Sequence, residues 1–124
     1  MNKIDINKSI PEERWLEFFD QFSDGNSGRH ISIEILGGEL GDLELIQNAP
    51  LMAMVYDPPQ KGNKLTIRQS RRFANETGKD EVTYAHTVDA PKEVLTGQDA
   101  NGIMLAVQIR DAMGIPTLIK LQPN

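Results

Sequence analysis

A chain of 124 residues with 39% hydrophobic side chains and a net charge of -5 has room for one core and for one domain spanning residues 1–124. Leu, Ile, Val and Phe fill 32 of the 124 positions, above the roughly 20% below which disorder is the expectation. Cysteine is absent and there are two histidines, His30 and His86, which excludes a disulfide scaffold, a thiolate nucleophile, a cysteine-based metal site and a multi-histidine cage within one chain.

Neither cofactor nor metal is indicated. No apolar run approaches the roughly 18 residues of a membrane span, and Met1–Asp5 lacks the apolar stretch of a signal peptide. Cytoplasmic residence without membrane association is therefore expected.

Charge is unevenly placed. Residues 1–60 hold four basic and eleven acidic side chains, whereas 61–79 hold six basic residues and one acid, Glu76. The cationic stretch contains Lys61, Lys64, Arg68, Arg71 and Arg72. It can serve an anionic partner or pair with the acidic remainder.

Taken in order, residues 1–8 read as a loosely paired arm, with Ile4 and Ile6 alternating. Ser9-Ile10-Pro11-Glu12 has the form of a capping box, with Pro11 in a first helical turn. Trp15, Phe18, Phe19 and Phe22 follow at i, i+3, i+4 and i+7, the apolar stripe of a helix whose other side carries Glu13, Glu17, Asp20 and Gln21. Four of the seven aromatic residues thus lie on one helix, which must be a main part of the core. The polar run Ser23–Gly28 is expected to end it.

The remainder reads as strand and turn. Ile31, Ile33 and Ile35 alternate with Ser32 and Glu34. A turn at Gly37–Asp42 leads to a return strand over 43–47. Residues 51–56 are apolar at every position, as in a strand covered on both faces. Lys64 to Gln69 alternates, 70–80 reads as loop, and Val82, Tyr84, His86 and Val88 share a face. Asp99–Gly102 reads as a hairpin turn, Ile103 to Ile109 as a clean strand, and 117–121 as the last one. No internal repeat is evident. The pattern predicts an α+β fold: one N-terminal helix packed on an antiparallel sheet or small barrel of six to eight short strands.

Motifs of known chemistry are missing. Gly37-Gly38-Glu39-Leu40-Gly41 lacks the spacing and the following helix of a phosphate loop. His86 and Asp89 are the candidate acid–base pair, although three residues along a strand place them on opposite faces. Glu34 and Glu44 can meet across the first hairpin. Lys64, Arg68, Arg71 and Arg72 are the candidate binding residues, yet only Phe73 is available beside them as a stacking aromatic and the overall pI is near 5.0, which argues against nucleic acid.

The order of short signatures resembles a family of small bacterial proteins known only as a domain of unknown function. The resemblance rests on Trp15-Leu16-Glu17-Phe18-Phe19-Asp20-Gln21-Phe22, on Ile33–Gly37 and Ala49-Pro50-Leu51, and on His86-Thr87-Val88-Asp89-Ala90-Pro91. It extends over nearly the whole chain and implies no activity, cofactor or catalytic residue. A tight Asp-Gly turn before the last strand is implied, where Arg110–Pro116 is longer here.

The leading functional reading is a non-catalytic domain acting by binding or self-association, as a homodimer. A small acid–base or hydrolytic enzyme centred on His86 is the first alternative. Binding of RNA or another anion through 61–79 is the second.

Overall fold

A computed structural model describes residues 8–38, 41–72 and 81–122, with the side chains of 36–38, 41–48, 71–72 and 81–83 left aside. Among the described residues, one helix, α1 (Trp15–Asn26), packs on eight strands: β1 (Lys8–Ser9), β2 (His30–Gly38), β3 (Gly41–Asp57), β4 (Lys64–Arg72), β5 (Glu81–Asp89), β6 (Pro91–Gln98), β7 (Met104–Asp111) and β8 (Pro116–Leu121). All pairings are antiparallel, in the order β1-β6-β7-β8-β2-β3-β4-β5. The α+β expectation holds.

The order dictates a rolled shape. β5 stands at one end and β6 next to the other, yet a single residue, Ala90, joins them. Consecutive Cα atoms lie about 3.8 Å apart, so the two ends of the sheet must approach each other. The roll encloses a core of Trp15, Phe19, Phe22, Ile31, Ile33, Leu51, Met54, Tyr56, Leu65, Ile67, Val94, Val107, Ile109 and Ile119, among others.

β3 is the corner. Its first part pairs with β2, from Gly41 to Pro50, and its second with β4, from Leu51 to Asp57. The sequence divides this stretch at Asn48-Ala49-Pro50, but Pro50 lies opposite His30 at the start of β2, where the chain passes from one neighbour to the other. A bulge between Leu51 and Ala53 then turns Leu51 and Met54, three residues apart, both inward. The second face of 51–56 is only partly covered: Met52 and Val55 are each 43% exposed.

Beyond Pro50, β3 has lost β2 as a neighbour, and the end of α1 takes its place. Gly28 N–H donates to the Leu51 carbonyl (2.8 Å) and Leu51 N–H to the Arg29 carbonyl (2.8 Å). The Ser23 hydroxyl accepts from Met54 N–H (2.8 Å) and donates to the Met54 carbonyl (3.1 Å). A helix thus satisfies backbone groups that would otherwise form an open edge. Ser23 is part of the helix, which runs on to Asn26 rather than stopping before it.

The helix start also differs from the expected cap. Ser9 lies in β1 opposite Leu95, and Ile10 N–H donates to the Val94 carbonyl (2.9 Å). A 3₁₀ turn at Glu12–Arg14 leads into Trp15, with no side-chain cap on either element. The Trp15 indole N–H donates to the Ile10 carbonyl (2.8 Å) and ties the entry down instead.

Two hairpins share a turn. Asp99-Ala100-Asn101-Gly102-Ile103 and Asp111-Ala112-Met113-Gly114-Ile115 are alike at four of five positions. In both, the Asp carboxylate accepts from the N–H groups two and four residues on, at 2.8–3.0 Å. The glycines take φ of +82° and +83°, which only glycine adopts freely. The ending is therefore the longer Asp-x-x-Gly turn rather than a tight Asp-Gly one, and β7–β8 pairing runs without a register shift from Ala106↔Lys120 to Arg110↔Pro116.

Phe19 is 1% exposed, whereas Phe18 is only partly buried, its ring against Phe19 and Phe22 at centroid distances of 5.0 and 5.8 Å. Phe19→Ala is expected to cost about 3–5 kcal/mol and Phe18→Ala about 1–2 kcal/mol in chemical denaturation. Equal losses would contradict this seating of the helix. Ser23→Ala leaves both Met54 backbone groups without this partner and is expected to cost about 1–3 kcal/mol; no change would remove the clamp from the account.

Candidate functional site

His86 faces the interior of the roll. On β5 it lies opposite Ile67, with Val88 opposite Leu65 and Tyr84 opposite Gln69; Leu65, Ile67 and Gln69 are fully buried. The imidazole is half-buried and forms no hydrogen bond among the described residues. Burial holds its pKa below the ordinary 6.5, because a poorly solvated site favours the neutral ring. Asp89 is exposed on the outer face, opposite Lys64. His86 and Asp89 are therefore on opposite sides of the strand and form no dyad.

Gln69 is the polar residue of this interior that sequence pattern did not flag. Its amide reaches across the roll and donates to the Ile31 carbonyl of β2 (3.3 Å). Its Oε1 has no partner among the described residues. Another such residue is Arg29, buried at the end of α1, which donates to the Gln122 carbonyl (2.9 Å) and to Asn26 Oδ1 (3.1 Å). It binds the helix terminus to the end of β8, where its positive charge also suits the helix dipole. Tyr56, edge-on to Trp15 at 5.5 Å, has its phenol pKa raised above 10.0 by burial, with the Glu12 carboxylate adding to it.

The two carboxylates of the first hairpin are register partners, Glu34↔Glu44. Glu34, however, pairs with Lys120 of β8 at 3.2 Å. The Glu44 side chain lies outside those described. Among the described residues, no group of three or more His, Asp or Glu is placed to hold a metal ion.

The cationic stretch is divided. Lys61 is exposed in a 3₁₀ turn, and Lys64 and Arg68 are exposed on the outer face of β4. Arg71 and Arg72 end β4, their side chains outside those described, and Phe73–Asp80 lies outside the described residues. On the outer face, Asp57–Lys64–Asp89, Val55–Thr66–Thr87 and Ala53–Arg68–Ala85 form three successive cross-strand rows. The cross-strand partners of Arg68 are both alanines, Ala53 and Ala85, and it has no ion pair among the described residues.

A groove of about 360 Å³ lies elsewhere, between β1 and α1. Lys8, Ser9, Ile10 and Pro11 form one wall; Arg14, Glu17, Phe18 and Gln21 form the other. The sequence hides it, because the helix contributes the i, i+3, i+4, i+7 stripe adjoining its aromatic one, and only folding brings Lys8–Pro11 alongside.

These features define a small α+β protein whose rolled sheet is filled by its own side chains, with polar chemistry at the edges and surfaces. The chain belongs to the family of unknown function DUF5335, whose model matches residues 6–124, in agreement with the resemblance carried by Trp15–Phe22 and His86–Pro91. It is similar to an uncharacterized protein of Aquifex aeolicus (strain VF5), 23% identical over 116 residues that make up 94% of this chain and 92% of that protein. No solved structure matches.

The histidine yields a pH prediction. With its folded pKa depressed, the unfolded chain takes up the proton first, so the His86 contribution is intact above pH 6.5 and is lost as pH falls from there through the folded value. Wild type is expected to lose stability over this range relative to His86→Gln in parallel urea titrations. Identical pH dependence of the two would place the imidazole in solvent.

Proposed function

We propose that this protein is a non-catalytic bacterial, cytoplasmic domain that works by self-association, as a homodimer built on the outer face of β3, β4 and β5. The observation that carries the reading is the exposure of Met52 and Val55, 43% each, on the face opposite the core. A strand apolar on both faces calls for a cover on each, and among the described residues α1 and the roll cover the inner one fully and the outer one in part. Met54 belongs to the core, and Met104 packs partly against it, so Met52 is the adaptable side chain of this face. The Aquifex relative supports a bacterial setting. No helix among the described residues is long and apolar enough to cross a membrane.

The charge pattern favours a second copy as the cover. Successive rows on one face are two residues apart along the strand, about 6–7 Å. A two-fold axis running across the strands at Val55–Thr66–Thr87 lays each Arg68 over the partner copy's Asp57–Lys64–Asp89 row, above its lysine and between its two aspartates. That row sums to -1 and the arginine supplies +1. Closed two-fold dimers are also the commonest assembly.

Sedimentation equilibrium at micromolar concentration is expected to give a dimer. Met52→Glu/Val55→Glu should give a folded monomer, and Arg68→Glu should weaken the dimer about tenfold. A wild-type monomer, or a dimer indifferent to both variants, would overturn the proposal.

A further inference from the structure

We infer that the groove between β1 and α1 binds an extended acidic peptide segment as an added strand. Three features at one place support this. Among the described residues, β1 is the last strand of the sheet on its side. Lys8↔Thr96 and Ser9↔Leu95 are register partners, and Ile10 N–H bonds to Val94, so by antiparallel alternation the N–H and C=O of Ser9 point away from β6. Ser9 lines the groove and offers both groups to an incoming backbone.

The second feature is charge. Lys8 and Arg14 line the two walls and are exposed, with no ion pair among the described residues. Glu17 is the single carboxylate of the lining, and its Oε1 accepts from the Gln21 amide (3.3 Å). The groove therefore has a net charge of +1, on a chain that is otherwise acidic.

The third is a partly buried apolar floor. Phe18 and Ile10 pack on the core and still line the groove, with Pro11 beside them. Successive residues of an added strand point to opposite sides. One side chain can rest on Phe18 and Ile10 while a neighbouring carboxylate reaches Lys8 or Arg14. An acidic, alternating peptide uses all three features, and this face is separate from the one proposed for the dimer.

The test uses a fluorescein-labelled hexapeptide of alternating valine and glutamate, titrated into the full-length protein by fluorescence anisotropy. Amide shifts are followed in parallel by NMR. Binding is expected, with shifts centred on Ser9–Gln21. Lys8→Glu/Arg14→Glu should weaken it about tenfold or more, and Lys8→Gln/Arg14→Gln less. Both pairs are on the surface, and circular dichroism checks that they fold. N-methylation of the peptide amides should abolish binding. The proposal is overturned if a valine–lysine peptide binds as well, if the N-methylated peptide is unaffected, or if shifts fall elsewhere. It is equally overturned if Lys8→Glu/Arg14→Glu dissociates the dimer, since a second copy then occupies the groove.

Discussion

The fold turns on how the second half of β3 is kept from being an open edge. β4 supplies hydrogen bonds on one side along the stretch from Leu51 to Asp57. On the other, β2 ends at His30 opposite Pro50. The gap is filled by Gly28 N–H, the Arg29 carbonyl and the Ser23 hydroxyl, all from α1 or its exit. Unpaired backbone groups at that depth would be costly, so the position of the helix follows from the strand. Once α1 lies along β3, Trp15, Phe19 and Phe22 fill the roll, and the β5 end can come round to β6.

The same constraint explains where sites can and cannot be. The interior is taken up by large side chains; its buried polar groups among the described residues are Arg29, Ser32, Gln69, Thr96 and Thr117, with His86 half-buried on the same inner side. The places proposed for partners are the outer face of β3–β5, where Met52 and Val55 are 43% exposed, and the groove beside β1. Membership of a family of unknown function assigns no chemistry to either place, and the physical case rests on exposed apolar area, free backbone groups and local charge.

Local periodicity made much of this legible. The aromatic stripe of α1, the alternation in β2 and β4, and the shared strand face of Tyr84, His86 and Val88 all follow from side-chain spacing. The opposite facing of His86 and Asp89 was legible for the same reason. Signals with two meanings misled. Ser9-x-x-Glu12 has the pattern of a cap, but Ser9 is used in strand pairing. Ala49-Pro50 looks like a break and is a corner within one strand. The apolar run 51–56 mixes inward and outward residues because a bulge shifts the alternation. The repeated Asp-Ala-x-Gly-Ile turns were present in the sequence, and their shared offsets to N–H groups two and four residues on were the available clue. Gln69 and the β1–α1 groove had none, since each depends on residues far apart in the chain.

Native-state hydrogen exchange addresses the role of the helix along β3 most directly. If α1 replaces β2 as the neighbour of this segment, the amides of Leu51 and Met54 exchange only through global unfolding, with protection equal to that of Ile33 and Ile119 in the centre of the sheet. Exchange at Leu51 and Met54 through a local opening, while Ile33 and Ile119 stay protected, would contradict it.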